Sequence, residues 1–547
     1  MVKIDISYKQ LQQLVGKSFS VQELEMVLFD LGMELDGVQQ DTLTIDITSE
    51  RCDMVSLYGL ARVLKAYWGI AISTYSAQPS SYVVEVTSHV EHVRPYTMCA
   101  VVQHLDFSEQ QLKEVIAVQE KIHATFGRNR KKVAIGIYPM EHIAFPVTFD
   151  AKSDISFRPL DGPTVMSAQD ILQTTPTGKQ YGHLLNNNVY PYFIDAQQRI
   201  LSMPPIINSY ESGRVTTTTK DIFIECSGHD KEALSKMLNM LVYMFADMGG
   251  TIQQVTMQYP QQTFTTPLLA PQVRTLSLQA IEAVTGLGLD TKTYASLLQK
   301  MMYSNIQVTD TDLTFEVPCI RTDIWHDIDV IDDIVRAYGV NNIPIQLPQS
   351  STYASVLPSQ ELKQHISNHM IGLGFTQVCT LLLTDSKDQY NKMDIDVQDH
   401  MKLGYSAEQH INMVRTWLTP ELLKVIMYNR QKSLPLSIFE CNEVVVPDAS
   451  KDVLSRTALH VGGLLCDKQV TFTYMKSVVQ SVMQALNKEV TYQPSTLSCY
   501  IQGRCADILY DGQVVGHVGE IHPKVLDAWQ ISYPIVSFEL DCALFLK

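Results

Sequence analysis

The 547-residue chain contains no apolar run close to the ~18 residues that a membrane helix requires, which argues against a spanning segment. Its start, MVKIDISYKQLQQL, has neither the unbroken apolar stretch of a secretory signal nor an Arg-rich amphipathic pattern. The ten cysteines include no CxxC pair, so neither a zinc ribbon nor a disulfide framework is indicated. A soluble cytoplasmic protein with reduced thiols is the expectation. Positive charge is also scarce: Lys and Arg number 42 against 58 Asp and Glu, a net charge of −16. A protein that coats nucleic acid needs accumulated cations, so RNA contact here would have to be local. Arg128-Asn129-Arg130-Lys131-Lys132 is the densest basic segment, by default a solvated loop before a strand.

The composition itself is that of a globular chain, 45% hydrophobic and 18% charged, and at ~100–200 residues per domain it predicts about three to five domains. Ser20-Val-Gln-Glu23 is a capping-box pattern, followed by Leu24, Val27, Leu28 and Leu31 at helical spacing, with Gly32 as a stop. Residues 41–48 alternate as a strand, and Asp53 is placed to cap a helix carrying Leu57, Leu60, Ala61 and Leu64. Residues 1–80 thus read as a small N-terminal αβ module. From 81 to 262, strand-like segments alternate with helices such as 109–124 behind Ser108, an α+β pattern. The polar stretch 258–267 reads as a boundary. Residues 268–348 open with helices before a strand and another helix, and 350–547 hold long β-rich segments suited to an antiparallel sheet.

One segment has an unusual density of chemistry. In VPCIRTDIWHDIDVIDDIVRAYGVNNIP (317–344), Asp329, Asp332 and Asp333 stand at i, i+3 and i+4, with Asp323 in the approach to the helix. Such oxygen groups suit Mg²⁺, while the bland reading is a solvated acidic start favoured by the helix dipole.

The same segment resembles the signature of phenylalanyl-tRNA synthetase β chains: Pro318-x-x-Arg321-x-Asp323-Ile324-x-His326, then Tyr338-Gly339 and Asn342-Ile343-Pro344. LSMPPIINS (201–209), DIFIECSG (221–228), DITSERCDMVSLYGLARVL (46–64), GRCADI and GEIHPKVL are similar to the family in the same order, covering nearly the whole chain. The length and short N-terminal module are like the archaeal and eukaryotic cytosolic branch. Two departures are Glu50, where the family pattern commonly has Asn, and Asp332, where Glu is usual.

The resemblance implies an α+β multidomain fold: the N-terminal module, an editing domain at 81–262, a winged-helix-like domain at 268–348, and a degenerate class II synthetase-like core at 350–547. It implies Mg²⁺ at Asp323, Asp329, Asp332 and Asp333. It also implies an editing site for Tyr-tRNA(Phe), in which Glu225 reads the tyrosine hydroxyl and Asn208 and Ser209 lie beside the ester, with Leu201, Thr218 and Thr219 nearby. From the residues alone, Glu225 is a strand-end carboxylate in an ion pair and 201–209 a Pro-rich turn. A partner α subunit in an (αβ)₂ heterotetramer, tRNA(Phe), and ATP consumed by the complex complete the implied picture. The second-motif-like SIFECNEVV lacks an Arg-x-Glu pair, and Gly516-His-Val-Gly519-Glu520-Ile-His522-Pro523 lacks a phosphate-holding Arg. The core is therefore expected to be a scaffold, with activation in the α chain. The rivals are a free-standing tRNA deacylase, which the long core argues against, and a structural RNA-binding module, which would be basic.

Overall fold

A computed structural model describes residues 2–160, 162–185, 188–348, 352–406, 408 and 410–546. The chain divides into two compact units, Met1–Gln346 and Leu347–Lys547, both mixed α and β. Among the described residues no helix is long and apolar enough to cross a membrane.

The first unit opens with an antiparallel sheet in which Thr42–Ile47 lies between Val2–Ser7 and Glu34–Gln39. Alternation puts Leu43, Ile45 and Ile47 inward, where they meet Leu24 and Leu28 of the helix Val21–Asp30. The capping box forms as the sequence dictates: Glu23 N donates to Ser20 Oγ at 3.1 Å, and Ser20 N donates to the Glu23 carboxylate at 2.7 Å. The cap of Leu57–Tyr67 is different from the one anticipated. Ser56 Oγ accepts from Gly59 N, while both oxygens of Asp53 are taken at 2.9 Å by Arg51, two residues away.

Far along the chain, Gln272–Ser277, Asp312–Val317 and Ser304–Val308 form a second antiparallel sheet, flanked by Leu278–Thr285, Thr291–Lys300 and Asp327–Tyr338. Its apolar residues share one core with the N-terminal segment, Leu298, Phe315 and Ile334 joining Leu11, Leu60 and Leu64. Thr322 Oγ1 donates to the Glu50 carbonyl and Arg336 Nη1 to the Leu31 carbonyl, so polar contacts repeat that union.

Between these segments lie two packed sheets. Ile222–Gly228 is paired on one side with Tyr96–Gln103 and on the other with Val133–Pro139, which is the sheet edge; Thr251–Gln253 completes the order. Ile222, Ile224 and Cys226 face the long helix Lys231–Asp247, whereas Phe223 faces Val84, Phe149 and Met257 of a seven-stranded sheet. Period-two alternation therefore sends Glu225 between the sheets rather than to the surface. The polar stretch 258–267, read as a boundary, is structured: Val255–Tyr259 and Gln262–Thr266 pair as a hairpin at the end of the seven-stranded sheet. Its polar side chains suit an edge strand with a solvated face, so low hydrophobicity concealed it.

In the second unit, Leu436–Pro447, Ser455–Cys466, Ile535–Asp541, Gln513–Ile521, Tyr500–Tyr510 and Thr491–Pro494 are successive antiparallel neighbours, with Thr376–Gln377 added in parallel at one edge. The β-rich segments of the sequence are these strands. Pro358–Gly372 and Phe472–Ala485 pack through Ile366, Met370, Val479 and Val482 on one face. Leu422 and Ile426 of Thr419–Tyr428 and Val525 of Pro523–Ala528 pack on the other.

Candidate functional site

The first unit contains a cavity of about 420 Å³ between the edge strand Val133–Pro139, the helix Glu109–Ala124 and the chain from Pro204 to Val215. Glu225 lies at its inner wall and is only 2% exposed. Its Oε1 is 3.3 Å from the Tyr138 hydroxyl, which in turn donates to Ser202 Oγ at 2.8 Å. Among the described residues its buried Oε2 has no partner within hydrogen-bond distance, although the Ser227 hydroxyl on the same strand helps to favour the charged form. Burial pushes the Glu225 carboxyl up to about 7, against the pull of the nearby Arg94 guanidinium. A group that changes protonation near neutrality can present either an acceptor or a donor to a ligand hydroxyl.

Space for this carboxylate comes from glycine. Gly136 stands opposite Glu225 in the strand register, and a Cβ there would lie 2.7 Å from Glu225 Oε1 and 2.3 Å from the Tyr138 hydroxyl oxygen. Glycine inside the run VAIGIY is the sequence sign of such a close approach. Tyr138 and Ser202 carry no local sequence signal, because their roles arise from pairing across distant strands.

The six residues anticipated for editing do not all meet. Asn208 lines the cavity beside Glu225, with its Oδ1 3.4 Å from the Tyr138 hydroxyl. Ser209 is buried but bonded elsewhere: its N–H donates to the Leu201 carbonyl and its hydroxyl to Glu211 at 2.9 Å. Leu201 belongs to the intersheet core. Thr219 is buried and accepts from Thr216 N, while Thr218 is exposed and bonded to Thr216. None of these four lines the cavity. The cavity is completed by His123, Arg130 and Arg214. His123 Nε2 accepts from Ile135 N, so its proton sits on Nδ1, facing Glu120; burial lowers its basicity and keeps it neutral. Arg130 is not the solvated loop residue anticipated. It donates to the carbonyls of Pro205 and Ile206 at 3.2 and 2.9 Å and stacks on Tyr181, clamping the proline turn to the basic loop.

The acidic segment is arranged around arginine. Arg321, 3% exposed, donates through Nε and Nη2 to the two oxygens of Asp323 at 2.8 and 2.7 Å, and through Nη2 to Asp333 at 2.8 Å. The Tyr303 hydroxyl donates to the same Asp333 oxygen at 2.7 Å. Burial disfavours the ionised Asp323, but the Arg321 guanidinium prevails and holds the carboxyl below its usual range. Asp329 Oδ2 accepts from the backbone N–H groups of Trp325 and His326, both at 2.7 Å, and Asp332 pairs with Arg336 at the surface. Among the described residues no three His, Cys, Asp or Glu side chains gather to hold a metal. A hard cation needs oxygens converging at ~2 Å, and here Asp323 and Asp333 are taken by Arg321, Asp329 by two backbone N–H groups and Asp332 by Arg336; the arrangement does not fit Mg²⁺. The reason lies in helix geometry. Residues 332 and 333 are adjacent, hence ~100° apart around the axis, and their carboxylates fan outward and inward rather than together.

In the second unit, the strand SIFECNEVV carries Glu440, buried against Arg415 at 3.0 Å; Arg415 also donates to Thr380 and to the Glu443 carbonyl. This arginine is wholly internal at 1% exposure.

Comparison with known proteins agrees with the order of these elements. Residues 274–340 match the tRNA synthetase B5 domain, and residues 343–542 the phenylalanyl tRNA synthetase beta chain CLM domain. The phenylalanine–tRNA ligase beta subunits of Pyrococcus furiosus and Archaeoglobus fulgidus are 33% and 32% identical, each alignment covering 100% of this chain and 99% of the relative. A crystal structure of an N-terminal fragment of the phenylalanyl-tRNA synthetase beta subunit from Pyrococcus horikoshii superposes with a TM-score of 0.60 at 36% identity, covering 62% of this chain and all of that one. With similarity running from end to end, this chain belongs to the family of phenylalanine–tRNA ligase β subunits.

Proposed function

We propose that this β subunit supplies hydrolytic correction within a phenylalanine–tRNA ligase, while a partner α subunit performs ATP-dependent activation. In this reading, residues 1–80 form the N-terminal module, 81–262 the editing domain, 268–348 a winged-helix-like domain, and 350–547 a class II synthetase-like core that serves as scaffold. The assembly is an (αβ)₂ heterotetramer that binds tRNA(Phe). The scaffold assignment rests on the lack of a phosphate-holding arginine in 516–523 and on the burial of Arg415 beside Glu440.

An apolar pocket built for phenylalanine rejects tyrosine, which adds only a hydroxyl, by ~10²-fold, so a second site must do the sorting. The observation that carries the reading is Glu225 Oε2, buried and unpartnered at the wall of a 420 Å³ cavity. An incoming phenolic hydroxyl satisfies it. A phenyl ring leaves it orphaned, so tyrosine is retained and phenylalanine is refused. Asn208 and Tyr138 hold the carboxylate's neighbours in place, and the neutral His123 with Arg130 and Arg214 bounds the cavity where the nucleotide end of the ester enters. No step is assigned to Mg²⁺.

The test is hydrolysis of preformed Tyr-tRNA(Phe) by the reconstituted complex carrying Glu225→Ala. Losing a charge-assisted hydrogen bond should slow deacylation roughly 10–150-fold. Phe-tRNA(Phe) synthesis should be unchanged. Undiminished hydrolysis would remove Glu225 from the reading.

A further inference from the structure

Among the described residues, nine buried side-chain atoms lack a hydrogen-bond partner, and three of them, Glu225 Oε2, Arg130 Nε and Thr177 Oγ1, belong to residues that line the cavity beside Glu225. Leaving a buried polar group unmet is costly, so such atoms gathered at one cavity point to a ligand that meets them. A phenolic hydroxyl answers Glu225. The other two atoms, on a different wall, can both donate. We propose that the Thr177 hydroxyl and Arg130 Nε donate to the carbonyl oxygen of the tyrosyl ester, which makes Thr177 a catalytic residue of the correction reaction. The assignment rests on the reading of this cavity as the hydrolytic site.

Thr177 is placed by its helix. It lies on Pro176–Tyr181, where residues 177 and 181 are four apart and so share a face. The Arg130 guanidinium stacks 4.4 Å over the Tyr181 ring, which brings it to the face that carries Thr177. Its Nη1 donates to the carbonyls of Pro205 and Ile206 and its Nη2 to Glu120, so the guanidinium plane is fixed while Nε is left without a partner. Gly178 lets the helix lie directly on Ala168–Thr174, since a Cβ there would stand 2.1 Å from the Ile171 carbonyl oxygen. Nor is the Thr177 hydroxyl needed to start the helix. Thr175 performs that task, its hydroxyl accepting from Gly178 N at 3.0 Å and donating to the Ile171 carbonyl at 2.8 Å.

An acceptor at one wall and donors at another match a tyrosyl ester, whose hydroxyl is at the ring end and whose carbonyl is at the other. In hydrolysis the water oxygen bonds to the carbonyl carbon as the C=O pair moves onto oxygen. The ester C–O bond then breaks, its electron pair leaving with the ribose oxygen, which takes the proton that the water gives up. Donors already fixed beside the carbonyl oxygen stabilise the charge that develops there.

Single-turnover hydrolysis of preformed Tyr-tRNA(Phe) by the reconstituted complex, over a range of enzyme concentrations, separates maximal rate from half-saturating concentration. Thr177→Val keeps the branched shape and removes the hydroxyl. Its maximal rate should fall about 100-fold, the usual worth of one donor at a developing oxyanion, with half-saturation unchanged within about twofold. Thr177→Ser restores the hydroxyl and should recover most of the rate. Because the hydroxyl has no partner in the folded chain, Thr177→Val should not lower Tm. A lowered Tm or loss of folding in Thr177→Val would mark the hydroxyl as structural and overturn the proposal. An unchanged maximal rate, a loss confined to half-saturation, or no recovery with serine would overturn it as well. Glu225→Ala, assayed alongside, tells the two readings apart: if it slows hydrolysis and Thr177→Val does not, only the role of Thr177 falls, whereas full activity in both removes the cavity from the correction reaction altogether.

Discussion

Gly136 faces Glu225 across the antiparallel ladder so closely that the room a side chain would need is already taken by the Glu225 carboxylate and the Tyr138 hydroxyl. Gly136→Ala places a methyl group in that space, and overpacking of this kind costs about 1–3 kcal/mol. The strand cannot shift easily, because its residues are all buried. The carboxylate must turn instead. Deacylation of Tyr-tRNA(Phe) should fall at least about tenfold, with a lowered melting temperature, while Phe-tRNA(Phe) synthesis is retained. Wild-type deacylation by this variant would mean that the carboxylate's position is immaterial.

The raised Glu225 carboxyl has a consequence for stability. In the unfolded chain the group titrates near 4.5, and in the folded chain near 7 because of burial. Between those values the folded state holds the extra proton, so stability is fully present below about 4.5 and is lost as pH rises through about 7. The loss is on the order of 3 kcal/mol. Glu225→Gln, which cannot ionise, should abolish this component. Urea midpoints of the two proteins compared from acid to mildly alkaline pH should converge or cross in the direction that favours Gln at high pH. A constant difference across the range would show that folding does not raise the Glu225 carboxyl above its ordinary value.

For the acidic segment, the arginine-centred arrangement predicts insensitivity to chelation. EDTA should leave the thermal unfolding of the isolated chain unchanged. Arg321→Met, by contrast, strands Asp323 and Asp333 without their cation in a buried setting, a change that costs about 3–5 kcal/mol. Asp332→Asn removes only a surface pair, worth ~0–1 kcal/mol. A chelator-sensitive transition, or equal effects of the two substitutions, would restore the case for a bound cation.

What the sequence disclosed and what it hid follow from the range of the interactions. The Ser20–Glu23 and Ser108–Gln111 boxes are contained within single turns, and the helices they begin were legible from spacing alone. The long strands of the second unit were legible through their β-branched and apolar content. Asp53 was misassigned as a cap because its partner Arg51 competes for it only in the folded loop. The resemblance led to Glu225, but its unpartnered oxygen, the Gly136 gap and the Tyr138 hydroxyl depend on strands nearly ninety residues apart in sequence being neighbours. The spacing of Asp329, Asp332 and Asp333 suggested convergence. It could not reveal that Asp333 turns inward to Arg321 while Asp329 caps the helix start and Asp332 pairs with Arg336 at the surface.

Asn208 and Ser209 are adjacent in sequence but point to different surroundings, and this separates them experimentally. Asn208 lines the cavity with its amide near Tyr138 and Glu225, so Asn208→Ala removes a polar group from the wall that a substrate would touch. At ~1–1.5 kcal/mol for a hydrogen bond between neutral partners, deacylation should drop roughly 5–10-fold. Ser209 instead ties the turn to itself through the Leu201 carbonyl and Glu211, on the side away from the cavity. Its backbone bond survives replacement by alanine. Ser209→Ala should therefore leave deacylation within about twofold and cost some stability, ~1 kcal/mol, for the lost contact with Glu211. Both variants should support normal Phe-tRNA(Phe) synthesis in the assembled complex. The comparison is made by single-turnover hydrolysis of preformed Tyr-tRNA(Phe), with urea denaturation of each chain to separate loss of folding from loss of contact. If Ser209→Ala slows hydrolysis more than Asn208→Ala, the ester lies on the far side of the turn, and the cavity beside Glu225 is not where tyrosine is removed.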